Sequence, residues 1–172
     1  LAGRTKSTTS GSDTTTYLHD GDGKRLQASA TGAPAVPTLR TPCSTATGSS
    51  GTATVNKPTG TVAGDLLVAG LAFEKGSDSA ITPPAGWTLI RRTNQSSNVG
   101  YATYRKLAGA SEPASYAFAL TNSPKWSIGA CAISGAHATS PVDVHTQNSG
   151  SGGNPSAPSI TWIAHGSHRF GP

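Results

Sequence analysis

The groups in this chain able to make bonds or hold metals are five histidines, eight carboxylates, two cysteines and many serines. A nucleophilic triad needs Ser or Cys, His and an acid brought together. No Gly-x-Ser-x-Gly elbow occurs to expose a serine at a strained turn. The histidines are His19, His137, His145, His165 and His168. His137 and His145 flank Asp143, a grouping that could serve a metal or acid–base chemistry. They follow a long apolar stretch, however, in a segment that reads as a polar loop. His165-x-x-His168 stands near the end of the sequence with no element predicted to position it. Glycoside hydrolysis needs two carboxyl groups in one cleft. Asp65, Glu112 and Asp143 read as turn residues, so Glu74 and Asp78 are the pair left for such work. Gly150-Ser-Gly-Gly-Asn154 lacks the Gly-Lys-Ser/Thr that completes a phosphate loop and reads as a connector. The expectation is therefore no catalysis, no cofactor and no metal, with a glycan hydrolase as the remaining enzymatic alternative.

Binding chemistry is better represented. Sugars are held by exposed aromatic faces and planar polar side chains near loop ends. Tyr101, Tyr104, Trp126, Asn94, Gln95, Asn98 and Asn122 have those types, and Trp87 is a further aromatic. Trp87 and Trp126 also suit a core. Tyr101 and Tyr104 have opposite parity in one strand-like run, so one is expected to face solvent.

The cysteines are Cys43 and Cys131. No C-x-x-C or Cys/His finger spacing exists, so a zinc site is not indicated. Cys131 lies in Ile128-Gly-Ala-Cys-Ala-Ile133 and reads as a small buried residue. Cys43 lies in a Pro/Ser/Thr stretch. A disulfide between them suits an oxidising compartment, but the pairing stays open from sequence.

Composition narrows the elements that must position these groups. Hydrophobic residues make up 34% and charged residues 12%, with 21 Gly and 12 Pro. Helix-forming Glu, Lys, Leu and Met are too scarce for long amphipathic helices, whereas short strands joined by small polar turns fit. The net charge is +5, from Lys and Arg spread between Arg4 and Arg169 in no polybasic tract. Nucleic acid is therefore not expected as a partner. No apolar run approaches the roughly 18 residues of a membrane-spanning helix, and no membrane insertion is expected. The first residues, Leu1-Ala-Gly-Arg-Thr-Lys6, have no apolar signal-peptide core, and the chain reads as a piece of a larger polypeptide.

Three zones follow: a polar flank and linker over 1–49, a strand-rich domain over 50–163, and a disordered tail over 164–172. Within the flank, Tyr17-Leu-His-Asp-Gly-Asp-Gly-Lys-Arg-Leu-Gln27 reads as a β-hairpin, because Asp20-Gly21 and Asp22-Gly23 supply positive-φ turn positions. A calcium loop would need a bidentate Glu at position 31, which is Thr. These eleven residues resemble one unit of the RHS/YD-repeat family, and the resemblance implies origin in or beside a large exported surface protein. Residues 28–49 read as linker by composition.

In the domain, 52–56 alternates as a first strand. Residues 65–74 are the most apolar and predict a central strand buried on both faces. Residues 81–87 form a turn around Pro83-Pro84. Further strands are predicted over 87–93, 99–107, 114–120 and 125–134, with 160–163 as one more. In the 99–107 strand, Val99, Tyr101, Thr103, Arg105 and Leu107 share one face, and Ala102 and Tyr104 the other. The fold class is all-β: an antiparallel β-sandwich, jelly-roll-like.

Four segments in order carry a second resemblance: Pro58-Thr-Gly-Thr-Val-Ala-Gly-Asp-Leu-Leu-Val68, Ile81-Thr-Pro-Pro-Ala-Gly-Trp-Thr-Leu-Ile-Arg91, Leu107-Ala-Gly-Ala-Ser-Glu-Pro-Ala-Ser-Tyr-Ala-Phe118 and Ile133-Ser-Gly-Ala-His-Ala-Thr-Ser-Pro-Val-Asp143. They resemble a β-sandwich module of phage tail and fibre proteins and of large bacterial secreted proteins, over about residues 50–161. The resemblance implies an adhesion or display role at a cell or virion surface, with no catalytic motif. After Pro158-Ser-Ile-Thr161 the sequence departs from that pattern, which leaves open a missing or altered final strand and an unpaired sheet edge. The expected function is a non-catalytic extracellular binding or adhesion module, with a surface glycan as partner. A structural spacer is the alternative.

Overall fold

A computed structural model describes residues 4–10, 13–19, 25–31, 36–150 and 158–161. The chain divides into two compact units, Leu1–Val36 and Pro37–Pro172.

The first unit is a three-stranded antiparallel sheet of β1 (Arg4–Ser10), β2 (Asp13–His19) and β3 (Arg25–Thr31), in that order. The expected hairpin pairing holds, with Tyr17 opposite Ala28 and Leu18 opposite Gln27. The ladder shifts register between Leu18 and His19. Its turn, with Asp20 and Asp22, lies outside the described residues. Strand β1 was not expected. Its Ser/Thr-rich sequence carries β-branched residues but no apolar alternation to announce a strand.

The second unit is an antiparallel sandwich. Among the described residues it contains β4 (Thr38–Gly48), β5 (Thr52–Asn56), β6 (Leu66–Glu74), a 3-10 turn (Gly76–Asp78), β7 (Ile81–Thr82), β8 (Thr88–Gln95), β9 (Val99–Leu107), β10 (Ser115–Leu120) and β11 (Trp126–Ser134). One sheet has five strands in the order β4-β11-β6-β9-β8, and the other has three in the order β5-β10-β7. The β5 and β9 bounds match those read from alternation, those of β6, β8, β10 and β11 differ by one or two residues at one or both ends, and β7 is a two-residue strand at the start of the 81–87 stretch read as a turn.

Alternate residues of each strand point into the space between the sheets. Val55, Tyr116, Phe118 and Leu120 enter it from the three-stranded sheet. Leu67, Leu71, Phe73, Tyr104 and Ile128 enter from the five-stranded one. Tyr104 meets Phe118 across the gap at 5.2 Å between ring centroids. Trp87, delivered by the Pro83-Pro84 turn, sets its edge against Tyr116 at 5.0 Å and Phe118 at 5.4 Å.

Four expectations are corrected. Residues 38–48, read as linker, form β4, an edge strand of the larger sheet, so the sandwich starts near Pro37 and not at 50. Small polar residues and Pro42 disguise it. Both are tolerated on an edge, where one side of the backbone makes no ladder bonds. The β4–β11 register shifts around Pro42, so that Ser44 faces Ala130 but Arg40 faces Ala132. Strand β6 is fully buried on its inward face, but Val68, Gly70 and Ala72 on its other face are only half covered. Cys131 is half-buried on that same outer face, not in the core. Residues 158–161 form no strand, and 162–172 lie outside the described residues.

The open cysteine question is settled. Cys43 and Cys131 form a disulfide with Cα atoms 4.5 Å apart, stapling edge strand β4 to β11. A second tie holds β4. Arg40 donates from Nε and Nη2 to the two carboxylate oxygens of Asp65, at 2.6 and 3.1 Å, and the Val62 amide donates to the same carboxylate at 2.9 Å. Asp65 is thus more than a turn residue. Its carboxylate joins β4 to the start of β6 while closing the 62–65 turn. Burial pushes the Asp65 carboxyl up, but the Arg40 and Val62 hydrogen bonds and the Arg40 charge outweigh it and hold the group below its ordinary value.

Candidate functional site

Strand β9 sits between β6 and β8 and alternates strictly. Its even residues enter the core and its odd residues lie on the outer face of the five-stranded sheet. Tyr104 therefore points inward and is 3% exposed, while Tyr101 points outward and is 52% exposed. Burial raises the Tyr104 phenol above its ordinary value, with the Arg92 charge opposing. Tyr104 is accordingly withdrawn as a ligand platform.

On the outer face Tyr101 pairs with Ala72 of β6 on one side and Thr93 of β8 on the other. Its ring leans over Gly70. A Cβ built at Gly70 would overlap the Tyr101 hydroxyl and stand 3.1 Å from Cζ and 3.5 Å from Cε2. The missing side chain at position 70 lets the phenol lie down on the sheet, which leaves its other face outward. A groove of about 650 Å³ follows, floored by Ala72, Thr93, Val99 and Tyr101 and walled by Gln95, Gln147 and Asn148. A compartment of about 260 Å³ continues past Tyr101 toward Ile90, Arg91 and Thr103 on the sheet and Val142 and His145 above them.

The segment after β11 forms that wall because one side chain anchors it. Arg91 donates from Nε to His145 Nδ1 at 2.7 Å and from Nη2 to the His145 carbonyl at 3.2 Å. An arginine Nε is always a donor, so the imidazole must present a lone pair at Nδ1 and carry its hydrogen at Nε2. Among the described residues no aspartate or glutamate lines either compartment.

The other proposed residues divide clearly. Gln95 belongs to the groove, and Asn98 stands beside it, its backbone amide closing the β8–β9 turn by donating to the Gln95 carbonyl at 3.1 Å. Asn94 pairs with Gly100 on the inner face and accepts a hydrogen bond from Arg92 Nε at 3.0 Å. Asn122 is a left-handed turn residue (φ 63°) that donates to the Asp78 carbonyl at 2.6 Å. Trp126 is half-buried against the core, over Gly48, with its indole donating to the Ser50 carbonyl at 3.1 Å. Asn94, Asn122 and Trp126 thus have structural duties away from the groove, and Trp87 is core at 6% exposed.

The groups considered for catalysis are engaged separately. His137 Nδ1 accepts from the Ser140 amide at 3.1 Å, whereas His145 is held by Arg91. Glu74 faces Lys125 at 3.7 Å, and Asp78 accepts from the Ser77 hydroxyl at 3.3 Å. Glu112 accepts from Lys106 at 2.8 Å, Tyr116 at 2.9 Å and the Gly109 amide at 2.7 Å, which makes it the polar anchor of the 109–116 turn. Among the described residues no three His, Cys, Asp or Glu side chains gather to hold a metal.

Residue-by-residue reading did not single out Arg91, Thr93, Thr103, His145 and Gln147 as one surface. Parity supplied the 101/103/105 row, but strand order decides which neighbours flank it, and no local signal carries strand order. Comparison of the chain with protein-family models, with curated proteins and with solved structures finds no match to any of them.

Proposed function

We propose that this chain is a non-catalytic binding module that takes a saccharide along the outer face of its five-stranded sheet. The observation that carries the reading is Tyr101, an exposed phenol lying across Gly70 in a groove bordered by the amides of Gln95 and Gln147. A flat apolar face with planar hydrogen-bonding groups around it is what a pyranose ring requires, since it stacks one face and bonds its hydroxyls sideways. The resemblance of residues 50–161 to exported and virion-surface sandwiches supports an extracellular setting within a larger polypeptide. The bridge between the chain's two cysteines suits an oxidising compartment.

The test is a glycan array followed by calorimetry on the best ligand. Binding that falls at least tenfold in Tyr101→Ala, with the melting temperature kept, supports the module. An array with no ligand, or binding indifferent to Tyr101, sinks the reading and leaves a spacer role.

A further inference from the structure

We infer that the saccharide taken by this groove is acidic, a hexuronate-bearing polysaccharide whose carboxylates meet Arg91 and Arg105; this rests on the saccharide reading above.

Among the described residues, ion pairs engage Asp65 with Arg40, Glu112 with Lys106 and Glu74 with Lys125, and Asp143 is not free either. Arg92 points inward, over the Phe73 ring at 5.0 Å, and donates to the carbonyls of Gly76 and Ser79. Arg91 and Arg105 are left on the outer face. Arg91 faces Thr103 across the ladder, and Arg105 faces Thr88 and Val68. The bonds from Arg91 to His145 use Nε and Nη2, which leaves the Nη1 amine. The constrained Nδ1 acceptor of His145 leaves its Nε2–H as a further donor. Among the described residues no carboxylate lines either compartment, where Arg91 and His145 present donors, and Arg105 stands further along the same outer face, beyond both compartments. Such a surface rejects cationic ligands and favours an anion by complementarity.

Spacing sets the kind of anion. Tyr101, Thr103 and Arg105 are successive outward residues of β9, so the row spans roughly 14 Å at strand rise. One ring stacked on Tyr101 occupies only the start of that row. A polymer with a carboxylate on successive rings would reach Arg91 from the first and Arg105 from the next. The planar guanidinium matches a planar carboxylate in fork geometry. A single aromatic platform on a sheet also fits a sugar better than a nucleic-acid strand, whose successive bases call for successive stacking partners.

The experiment is titration calorimetry with oligogalacturonate, the same oligomer after carboxyl reduction to the neutral galactan, dextran sulfate and single-stranded DNA. The expected result is binding of oligogalacturonate that weakens with added salt and falls about tenfold in Arg105→Gln, with the neutral oligomer weaker and indifferent to that substitution. Equal affinity for the charged and neutral oligomers overturns the acidic-ligand inference and leaves the saccharide reading standing. Binding of dextran sulfate or DNA but not of oligogalacturonate also overturns it. Binding of none of the four overturns the acidic-ligand inference, and the glycan array decides the saccharide reading separately.

Discussion

The phenol of Tyr101 rests on the bare backbone of Gly70, one strand away, because no Cβ stands between them. A side chain at position 70 and a flat ring at position 101 exclude each other. Gly70→Ala is therefore expected to lift the ring without harming the fold. Alanine is no worse than glycine in a strand, and stability should change by within about 1 kcal/mol. Saccharide affinity should fall about tenfold, as read by calorimetry beside a melting curve. Undiminished affinity in a folded Gly70→Ala protein would show that the ring's posture is irrelevant to binding.

Removing the staple between β4 and β11 tests the edge of the same sheet. Cys43 and Cys131 are 88 residues apart in sequence, so their bond closes a long loop and restricts the unfolded chain strongly. The Cys43→Ala/Cys131→Ala protein should lose about 2–5 kcal/mol in urea unfolding. Tyr101 and its groove lie on β6, β8 and β9, and the ladder from β6 to β8 does not involve β4. Binding measured well below the new melting temperature should therefore persist.

Acid should weaken the sandwich through two carboxylates. Burial pushes both up, but Arg40 and Val62 at Asp65, and Lys106, Gly109 and Tyr116 at Glu112, bring both below their ordinary values in the fold. A lowered folded value means the stabilisation is fully present above the unfolded value, near 4, and is lost as pH falls through the folded value. Melting temperature should hold between pH 7 and about 5 and then decline. Asp65→Asn should flatten part of that decline while lowering stability at neutral pH. The cost should fall short of that for a fully buried pair, since Arg40 is one-third exposed and solvent screens it. A pH profile identical to the parent's would remove Asp65 from the account.

Alkali should act through the core tyrosines. Burial raises Tyr104 and Tyr116 above the ordinary phenol value, and the hydrogen bond to Glu112 and its negative charge raise Tyr116 further. A raised folded value means stability is fully present below the unfolded value, near 10, and is lost as pH rises toward the folded one. In a spectrophotometric titration, Tyr104 and Tyr116 should ionise only as the protein unfolds. Glu112→Gln should bring the Tyr116 step earlier, and ionisation of Tyr104 and Tyr116 in the still-folded protein would contradict this.

Much of the fold was legible in sequence because strand alternation is a local signal. The runs at 52–56, 99–107 and 114–120 alternate regularly, so that the faces of 99–107 could be assigned residue by residue, and Tyr116, Phe118 and Leu120, which share one parity, are buried together. Strand β4 was lost because an edge strand can be small, polar and proline-bearing without penalty. Its membership in the sheet is declared by its partner β11, not by its own residues.

The sequence by itself determined that one face of 99–107 would carry Val99, Tyr101, Thr103 and Arg105, since a period of two follows from backbone geometry alone. Only the tertiary structure decided that Gly70 would lie beneath Tyr101, that Arg91 would stand opposite Thr103, and that His145 would return to meet Arg91. Those neighbours come from strand order and register. Both arise when distant segments bury their apolar faces together, and neither leaves a mark in any short window of sequence.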